Sequence, residues 1–210
     1  MPLKPAAHSR WSPWLLGLAR ALAAAATLLG GQRLGAAFWF GLWRRWPQDA
    51  AALAALAYWR AQSARPLAAL RWQRRWLVQQ PQRAEAHFSL GFVLEQLGRW
   101  EAAQAAFARA TELAPQLDLA WFGLARCLER LGQVEAALLA YGRNAELQPW
   151  SPHAHAALAR IHARQGRPQQ AQALIAHLRG FEPRVALALE QELRPLVRSP
   201  GLAPAAGEGA

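Results

Sequence analysis

Cysteine is almost absent from this sequence: Cys127 is the single one among 210 residues. One cysteine excludes an intramolecular disulfide framework, and it fits a reducing compartment. The sequence also lacks runs in which apolar and polar residues alternate, so half-buried β-strands are not predicted. The composition is 53% hydrophobic and rich in alanine and leucine, which predicts an all-helical protein.

Acidic residues are almost absent from the first part of the chain. Residues 1–83 contain twelve lysines and arginines and a single acid, Asp49, whereas residues 84–210 contain twelve arginines and twelve acids. Eight of the eleven tryptophans also precede residue 84. The chain therefore has a basic, tryptophan-rich, apolar first part and a neutral second part, and this asymmetry is its main sequence clue to function.

A pattern of small and large residues recurs every 34 residues. Residues 84–117 form two predicted amphipathic helices, over 85–97 and 100–113, joined at Gly98 and closed by Pro115. The recurring sets are Leu90-Gly91 with Leu124-Ala125, Gly98 with Gly132 and Gly166, Ala103 with Ala137, Phe107 with Tyr141, and Pro115 with Pro149. A helix–turn–helix period of this length resembles the tetratricopeptide repeat.

The resemblance implies an all-α, right-handed α-solenoid of about five repeats plus a C-terminal capping helix. Following the register back from Pro183 gives repeats over 16–49, 50–83, 84–117, 118–151 and 152–185. We therefore expect a lead-in over 1–15, two degenerate repeats over 16–83, three regular repeats over 84–185, a capping helix over 186–198 and a disordered tail over 199–210. In the second repeat, Arg60 and Gln73 stand where the family usually has Tyr and Phe.

Residues 16–46 allow two interpretations. An N-terminal single-pass membrane anchor is one, but Arg20 interrupts the apolar run, and the unbroken stretch 21–31 has eleven residues where a spanning helix needs about 20. The repeat register instead predicts a hairpin with helices over 16–29 and 33–46 and a turn at Gly30-Gly31. We expect the hairpin and keep the anchor as an alternative.

The sequence has no motif typical of catalysis or cofactor binding. It contains no glycine-rich phosphate loop, nucleophile elbow or His-Glu metal motif. His155 and His162 lie two helical turns apart, about 10 Å, which is too far to share one metal ion without other ligands. Both fall at packing positions of the repeat, and Cys127 falls between core leucines. We therefore predict a non-enzymatic protein with no cofactor and no metal.

The family resemblance also implies a concave groove lined by the first helix of each repeat. Carried over to this sequence, the lining positions include Phe88, Phe92, Phe122, Arg126, Arg130, Arg160 and Arg164. A phenylalanine shelf beside an arginine cluster suits a peptide that is acidic or has a free C-terminal carboxylate. The alternative is that these arginines form a solvated face, partly paired with Glu95 and Glu129.

The basic first part predicts a second surface. A hairpin at residues 16–46 would bring the tryptophans and arginines at its two ends together, and the second repeat adds more of both. The residues are Trp11, Trp14, Trp39, Trp43, Arg44, Arg45, Trp46, Arg71, Trp72, Arg74, Arg75 and Trp76. Tryptophan with arginine favours an anionic membrane surface. A protein interface is the second option, and single-stranded nucleic acid is a less supported third, so no nucleic-acid partner is expected.

These features predict a cytoplasmic scaffold or adaptor that is peripheral to a membrane. It would dock to a membrane surface or membrane complex through its N-terminal half and bind a peptide in its groove. The alternative is an accessory subunit in the assembly of a protein complex, whose apolar first repeat is buried against a partner protein.

Overall fold

Helices make up almost all of the described chain. The computed structural model describes the backbone of residues 13–62 and 66–198, without the side chains of residues 13–16, 26–27, 29–34, 61–62 and 198. The helices are α1 (Pro13–Arg45), α2 (Ala50–Gln62), α3 (Pro66–Gln79), α4 (Ala84–Gln96), α5 (Trp100–Leu113), α6 (Asp118–Arg130), α7 (Val134–Leu147), α8 (Pro152–Arg164), α9 (Pro168–Arg179) and α10 (Pro183–Arg198). Predictions for residues 1–12 and 199–210 concern parts outside the described residues.

The 34-residue period is visible in the helix boundaries. First helices begin at Ala50, Ala84, Asp118 and Pro152, and second helices begin at Pro66, Trp100, Val134 and Pro168. Within these hairpins α2 packs on α3, α6 on α7 and α8 on α9, and α10 packs on α9. The predicted fold class, an all-α stack of tetratricopeptide-like hairpins with a capping helix, is confirmed.

Three glycines close the turns inside the regular hairpins. Gly98, Gly132 and Gly166 have φ angles of 69°, 74° and 68°, in the left-handed region that side chains with a Cβ disfavour. The N–H of the residue after each glycine donates to the carbonyl five residues earlier, as in Gln133 N to Leu128 O at 2.9 Å. This bond satisfies a carbonyl at the end of the first helix and fixes the turn.

The structure of α1 differs from the hairpin that was predicted for residues 16–46. Helices over 16–29 and 33–46 with a non-helical turn at Gly30-Gly31 were expected, but α1 is helical from Pro13 to Arg45. Alanine and leucine, which dominate the run before Gly30, are strong helix formers, and this explains why helical backbone continues through the two glycines. The prediction of a non-helical turn at Gly30-Gly31 is therefore wrong.

The two halves of α1 nevertheless lie side by side. Arg20 Nε donates to Asp49 Oδ2 at 2.9 Å, although a straight helix would separate residue 20 from the end of α1 by about 37 Å. Leu22 and Leu42 also line one cavity. The helix is therefore sharply bent between residues 22 and 42, a span that contains the glycine pair, and glycine pairs are common sites of kinks. Among the described helices, none is both long and apolar enough to cross a membrane.

The chain forms two compact units, Met1–Val93 and Leu94–Ala210. In the first unit, Leu53, Ala57, Trp76 and Ala86 form a buried cluster against which Trp43, Trp72 and Leu77 pack. Asp49 precedes α2, and its Oδ1 accepts the N–H of Ala52 at 2.7 Å, which caps the helix while Oδ2 binds Arg20.

The core of the second unit includes residues of the capping helix. Phe107 on α5 and Tyr141 on α7 are 1% and 2% exposed, and Ala103, Ala110 and Ala137 beside them are fully buried. α10 buries Ala186, Leu189 and Leu193 in a cluster with Ile175 and Leu178 of α9. The apolar face of α10 therefore completes the core at this end.

Candidate peptide groove and docking face

The four predicted groove arginines line one cavity in the second unit. The cavity has a volume of about 710 Å³, and its walls come mainly from α6 and α8. Its lining includes five of the seven predicted groove residues, Phe122, Arg126, Arg130, Arg160 and Arg164, together with Glu129, Tyr141, His153, Ala157 and Val185. Residues four apart share a helix face, so each helix presents its two arginines to the same space.

Three of the four arginines form ion pairs with carboxylates of neighbouring first helices or of the cap. The pairs are Arg126–Glu95 at 2.9 Å, Arg164–Glu129 at 3.2 Å and Arg160–Glu192 at 2.8 Å. They link α4 to α6, α6 to α8 and α8 to α10. The pairing with Glu95 and Glu129 that formed part of the alternative is thus seen in the structure, and Glu192 extends the same pattern.

Arg130 differs from the other three arginines. Its guanidinium carbon lies 5.4 Å from the centroid of the Trp100 ring, a cation–π contact. Within the described residues no carboxylate forms an ion pair with it, and its side chain is exposed. The forked N–H donors of Arg130 are therefore accessible to a carboxylate from outside the chain.

Glu95, the ion-pair partner of Arg126, is a largely buried carboxylate. The Glu95 side chain is 9% exposed, and its burial raises its pKa, an effect that Arg126 and Arg130 partly oppose. Its Oε1 atom is within 2.9 Å of Arg126 Nη2, but the contact lacks the alignment of a hydrogen bond. Glu95 is therefore an imperfectly satisfied buried carboxylate.

Tyr141 orients the second groove carboxylate. Its hydroxyl donates to Glu129 Oε2 at 3.0 Å while Glu129 Oε1 accepts from Arg164. Burial raises the pKa of the Tyr141 phenol, and the nearby Glu129 adds to this effect. The phenol is therefore a constant donor that holds Glu129 in place.

The apolar side of the groove is centred on Phe122. Its ring centroid lies 5.7 Å from that of Tyr141 and 6.1 Å from that of His153. Phe88 and Phe92 lie on the part of α4 that belongs to the first unit, where both are half-buried. A single shelf formed by all three phenylalanines stays a prediction.

The surroundings of His155 and Cys127 fit structural roles for both residues. His155 Nε2 lies 2.9 Å from the carbonyl oxygen of Pro149, and Trp121 Nε1 donates to the equivalent carbonyl of Pro115, also at 2.9 Å. Burial raises the pKa of Cys127 to about 12, so it is a neutral thiol. The described residues contain no group of three or more His, Cys, Asp or Glu side chains that could hold a metal ion.

Trp43 and Trp72 form an aromatic cluster in the first unit. Their ring centroids are 4.9 Å apart in an edge-to-face arrangement. The guanidinium carbon of Arg75 lies 5.1 Å from the Trp43 centroid and 5.5 Å from the Trp72 centroid. Arg74 and Arg75 line a cavity of about 430 Å³ with Trp43 and Gln48. Residues of α1 and α3 from the predicted docking set are thus in contact with each other.

The other predicted docking residues differ in accessibility. Arg44, Arg45, Arg71, Arg74 and Arg75 are exposed, and Trp39 and Trp46 are half-buried. Trp76 is only 7% exposed and belongs to the core, so its predicted place on a docking surface is wrong; its position one turn after Trp72 puts it on the face that packs against Leu53 and Ala57. The side chains of Trp11 and Trp14 lie outside the description.

The exposed arginines of the first unit have few carboxylates available. Asp49 binds Arg20, and Glu85 lies 3.0 Å from Arg83. No other acid occurs between residues 13 and 93. Within the described chain, Arg44, Arg71 and Arg74 therefore form no ion pair. We use the name docking face for the exposed arginines Arg44, Arg45, Arg71, Arg74 and Arg75 with Trp43 and Trp72.

An apolar cavity lies on the same unit. Its volume is about 420 Å³, and its lining includes Ala19, Leu22, Phe38, Leu42 and Trp46. Leu22 and Phe38 are 55% and 53% exposed, so the cavity opens to the surface. Exposed apolar surface of this kind often marks contact with a membrane or a partner.

Sequence comparison agrees with this repeat geometry. The sequence model of the tetratricopeptide repeat matches residues 74–118 and 88–154. The chain therefore contains tetratricopeptide repeats within residues 74–154. No curated protein matches its sequence.

Solved structures of tetratricopeptide-repeat proteins have the same fold. A MamA segment from Desulfovibrio magneticus RS-1 is 17% identical with a TM-score of 0.68, over 84% of this chain and 96% of that one. YrrB, described as having an unusual peptide-binding site, is 18% identical with a TM-score of 0.68, over 82% and 90%. TTC0263, a thermophilic protein of Thermus thermophilus, is 18% identical with a TM-score of 0.62, over 87% and 99%. At these identities the likeness concerns the fold alone.

Proposed function

We propose that this protein is a non-enzymatic interaction scaffold that binds a carboxylate-bearing peptide in the groove between α6 and α8. The observation that supports this most directly is the exposed Arg130, which lines the cavity of about 710 Å³, contacts the Trp100 ring and forms no ion pair in the described chain. Phe122 and His153 supply an apolar and aromatic wall beside it. Peptide binding by YrrB, a protein of the same fold, is consistent with this use of the surface.

Site-specific photo-cross-linking tests the groove. A benzoylphenylalanine at Ala157, which lines the cavity, should cross-link to bound peptides in cells, and Arg130→Gln should remove these adducts. The matched control carries the same probe at Leu139 on α7, which is 78% exposed and outside the cavity lining. Equal adducts at the two positions, or adducts that survive Arg130→Gln, would place peptide binding elsewhere.

We propose as a second function that the docking face holds the first unit on an anionic membrane surface. The supporting observation is that Arg44, Arg71 and Arg74 are exposed without an ion pair in the described chain, on the unit that also exposes Leu22 and Phe38. Each cation near an anionic surface contributes about 1 kcal/mol. Three arginines would then change binding roughly a hundredfold.

Vesicle sedimentation tests the docking face. Full-length protein should sediment with phosphatidylserine-containing vesicles and not with phosphatidylcholine vesicles. The triple variant Arg71→Gln, Arg74→Gln, Arg75→Gln should lose this binding. A charge-matched control, Arg99→Gln, Arg184→Gln, Arg194→Gln, removes three exposed arginines from the second unit and should retain it. If the protein binds neither kind of vesicle, the membrane proposal is wrong. The alternative is then favoured, in which a partner protein in a complex covers this face.

A further inference from the structure

Glu192 places a carboxylate of the protein itself on a groove arginine. Arg160 Nε donates to Glu192 Oε1 at 2.8 Å and to Oε2 at 3.1 Å, and Arg160 Nη2 donates to Oε2 at 2.8 Å. This two-pronged contact is the geometry with which arginine recognises a carboxylate. Arg160 is also part of the cavity wall, next to Ala157. The structure therefore shows a bound carboxylate at one position of the groove.

The contact with Glu192 can be exchanged without undocking α10. Leu189 and Leu193 are 1% and 3% exposed and anchor this helix in the core. The Arg160 and Glu192 side chains, in contrast, are 39% and 45% exposed. An ion pair that exposed contributes little to stability. Glu192 can therefore move into water while α10 stays in place.

The two other groove pairs are less exchangeable. Glu95 is 9% exposed, so taking Arg126 from it would leave a buried carboxylate without its cation. Glu129 is held by Tyr141 in addition to Arg164. Arg160 is thus the paired arginine that an incoming carboxylate can take over at the lowest cost.

We propose that Arg160 is a carboxylate-binding residue of the groove and that Glu192 occupies it as an internal competitor, which the carboxylate of a peptide partner displaces. This inference rests on the proposed peptide function of the groove and adds to it a means of regulation. The capping helix sets the affinity, because every carboxylate ligand must first replace Glu192.

Binding of a defined probe to the full chain tests the proposal. The probe is a fluorescein-labelled tetraglutamate peptide, followed by fluorescence anisotropy at low salt, with tetraglutamine as the uncharged control. Glu192→Ala should tighten binding roughly two- to fivefold, the range expected when one exposed ion pair no longer competes. Arg160→Gln should weaken binding, and Glu192→Ala should have no effect in the Arg160→Gln background.

Glu190→Ala is the matched control, since Glu190 lies two residues earlier on α10 and pairs with Arg179 on α9, away from the groove. It removes the same charge and should leave probe affinity unchanged. Equal tightening by Glu190→Ala, or tightening by Glu192→Ala without Arg160, would overturn the competitor role. If the probe binds neither the wild type nor Glu192→Ala, Arg160 is not a carboxylate-binding residue. Cross-linking from residue 157 tests separately whether the groove binds peptides at all.

Discussion

The ring of Phe107 on α5 packs directly on the backbone of Gly123 on α6. A Cβ at residue 123 would lie 2.6 Å from both Cε1 and Cζ of that ring, and Phe107 is 1% exposed, so the ring has little room to move. Gly123→Ala should therefore lower the free energy of unfolding by about 1–3 kcal/mol, the usual cost of overpacking a core. Urea denaturation of the full-length protein measures it.

Gly142→Ala is the control for this prediction. Gly142 lies inside α7, and a Cβ there meets no atom within 4 Å. Alanine favours helix over glycine by about 0.5–1 kcal/mol, so this variant should be more stable than wild type. Destabilisation of similar size in both variants would show that the contact with Phe107 is not the cause.

The register of the hairpins could be predicted from the sequence because it depends on local features. The glycines at 98, 132 and 166 and the period between them set the helix starts to within a residue or two. The constraint on Gly123 could not be predicted from the sequence, because it comes from a ring on another helix. For α1, helix propensity competed with the repeat register at Gly30-Gly31, and the sequence alone could not weigh the two.

Part of the groove lining and two of its ion pairs could be predicted from the sequence, but its contact with the capping helix could not. The resemblance to the repeat family placed Arg126, Arg130, Arg160 and Arg164 in the groove, and they do share one cavity. The pairing of Arg160 with Glu192 depends on how α10 packs on α9, which is a tertiary relationship. Trp76 shows the same limit, since its burial depends on which face of α3 packs against α2.

Gln73 is a fully buried amide in the first unit and is predicted to cost stability. Its Nε2 donates to Ser89 Oγ at 2.6 Å, but its Oε1 is buried without a hydrogen bond. Replacing both partners by apolar residues removes the unsatisfied acceptor together with its neighbour. Gln73→Leu with Ser89→Ala should therefore raise the free energy of unfolding by about 1 kcal/mol. Gln73→Leu alone should gain less, because the Ser89 hydroxyl then loses its partner.

The raised pKa of Glu95 predicts that its contribution to the stability of the folded protein is more favourable at low pH than at neutral pH. Because burial raises its pKa in the folded state, the folded protein prefers the protonated carboxyl, and stability falls as pH rises above about 4.5, the ordinary value. Glu95→Gln should therefore be more stable than wild type at pH 7 and equal to it at low pH. Denaturation across this range measures the difference. The exposed Glu112→Gln, which breaks the pair with Arg109, serves as control and should not reproduce that pattern.

His155 predicts the opposite dependence at higher pH. Burial lowers its pKa, the hydrogen bond to Pro149 opposes this, and the ring of His177, 4.7 Å away, lowers it further. The neutral imidazole is therefore favoured in the folded state, so its contribution to stability is present above pH about 6.5 and is lost as pH falls below that value. The expected result is a drop in the free energy of unfolding between about pH 7 and pH 5.

Two substitutions separate the titration of His155 from its hydrogen bond. His155→Trp keeps an N–H donor for Pro149, as Trp121 does for Pro115, and should remove the part of the pH dependence due to residue 155. His155→Phe also removes that titration but leaves the carbonyl without its donor, so it should be less stable than His155→Trp by about 1 kcal/mol at every pH. If His155→Trp retains the full loss of stability between pH 7 and pH 5, another group carries the dependence. The imidazole would then be a packing residue whose protonation is not coupled to folding.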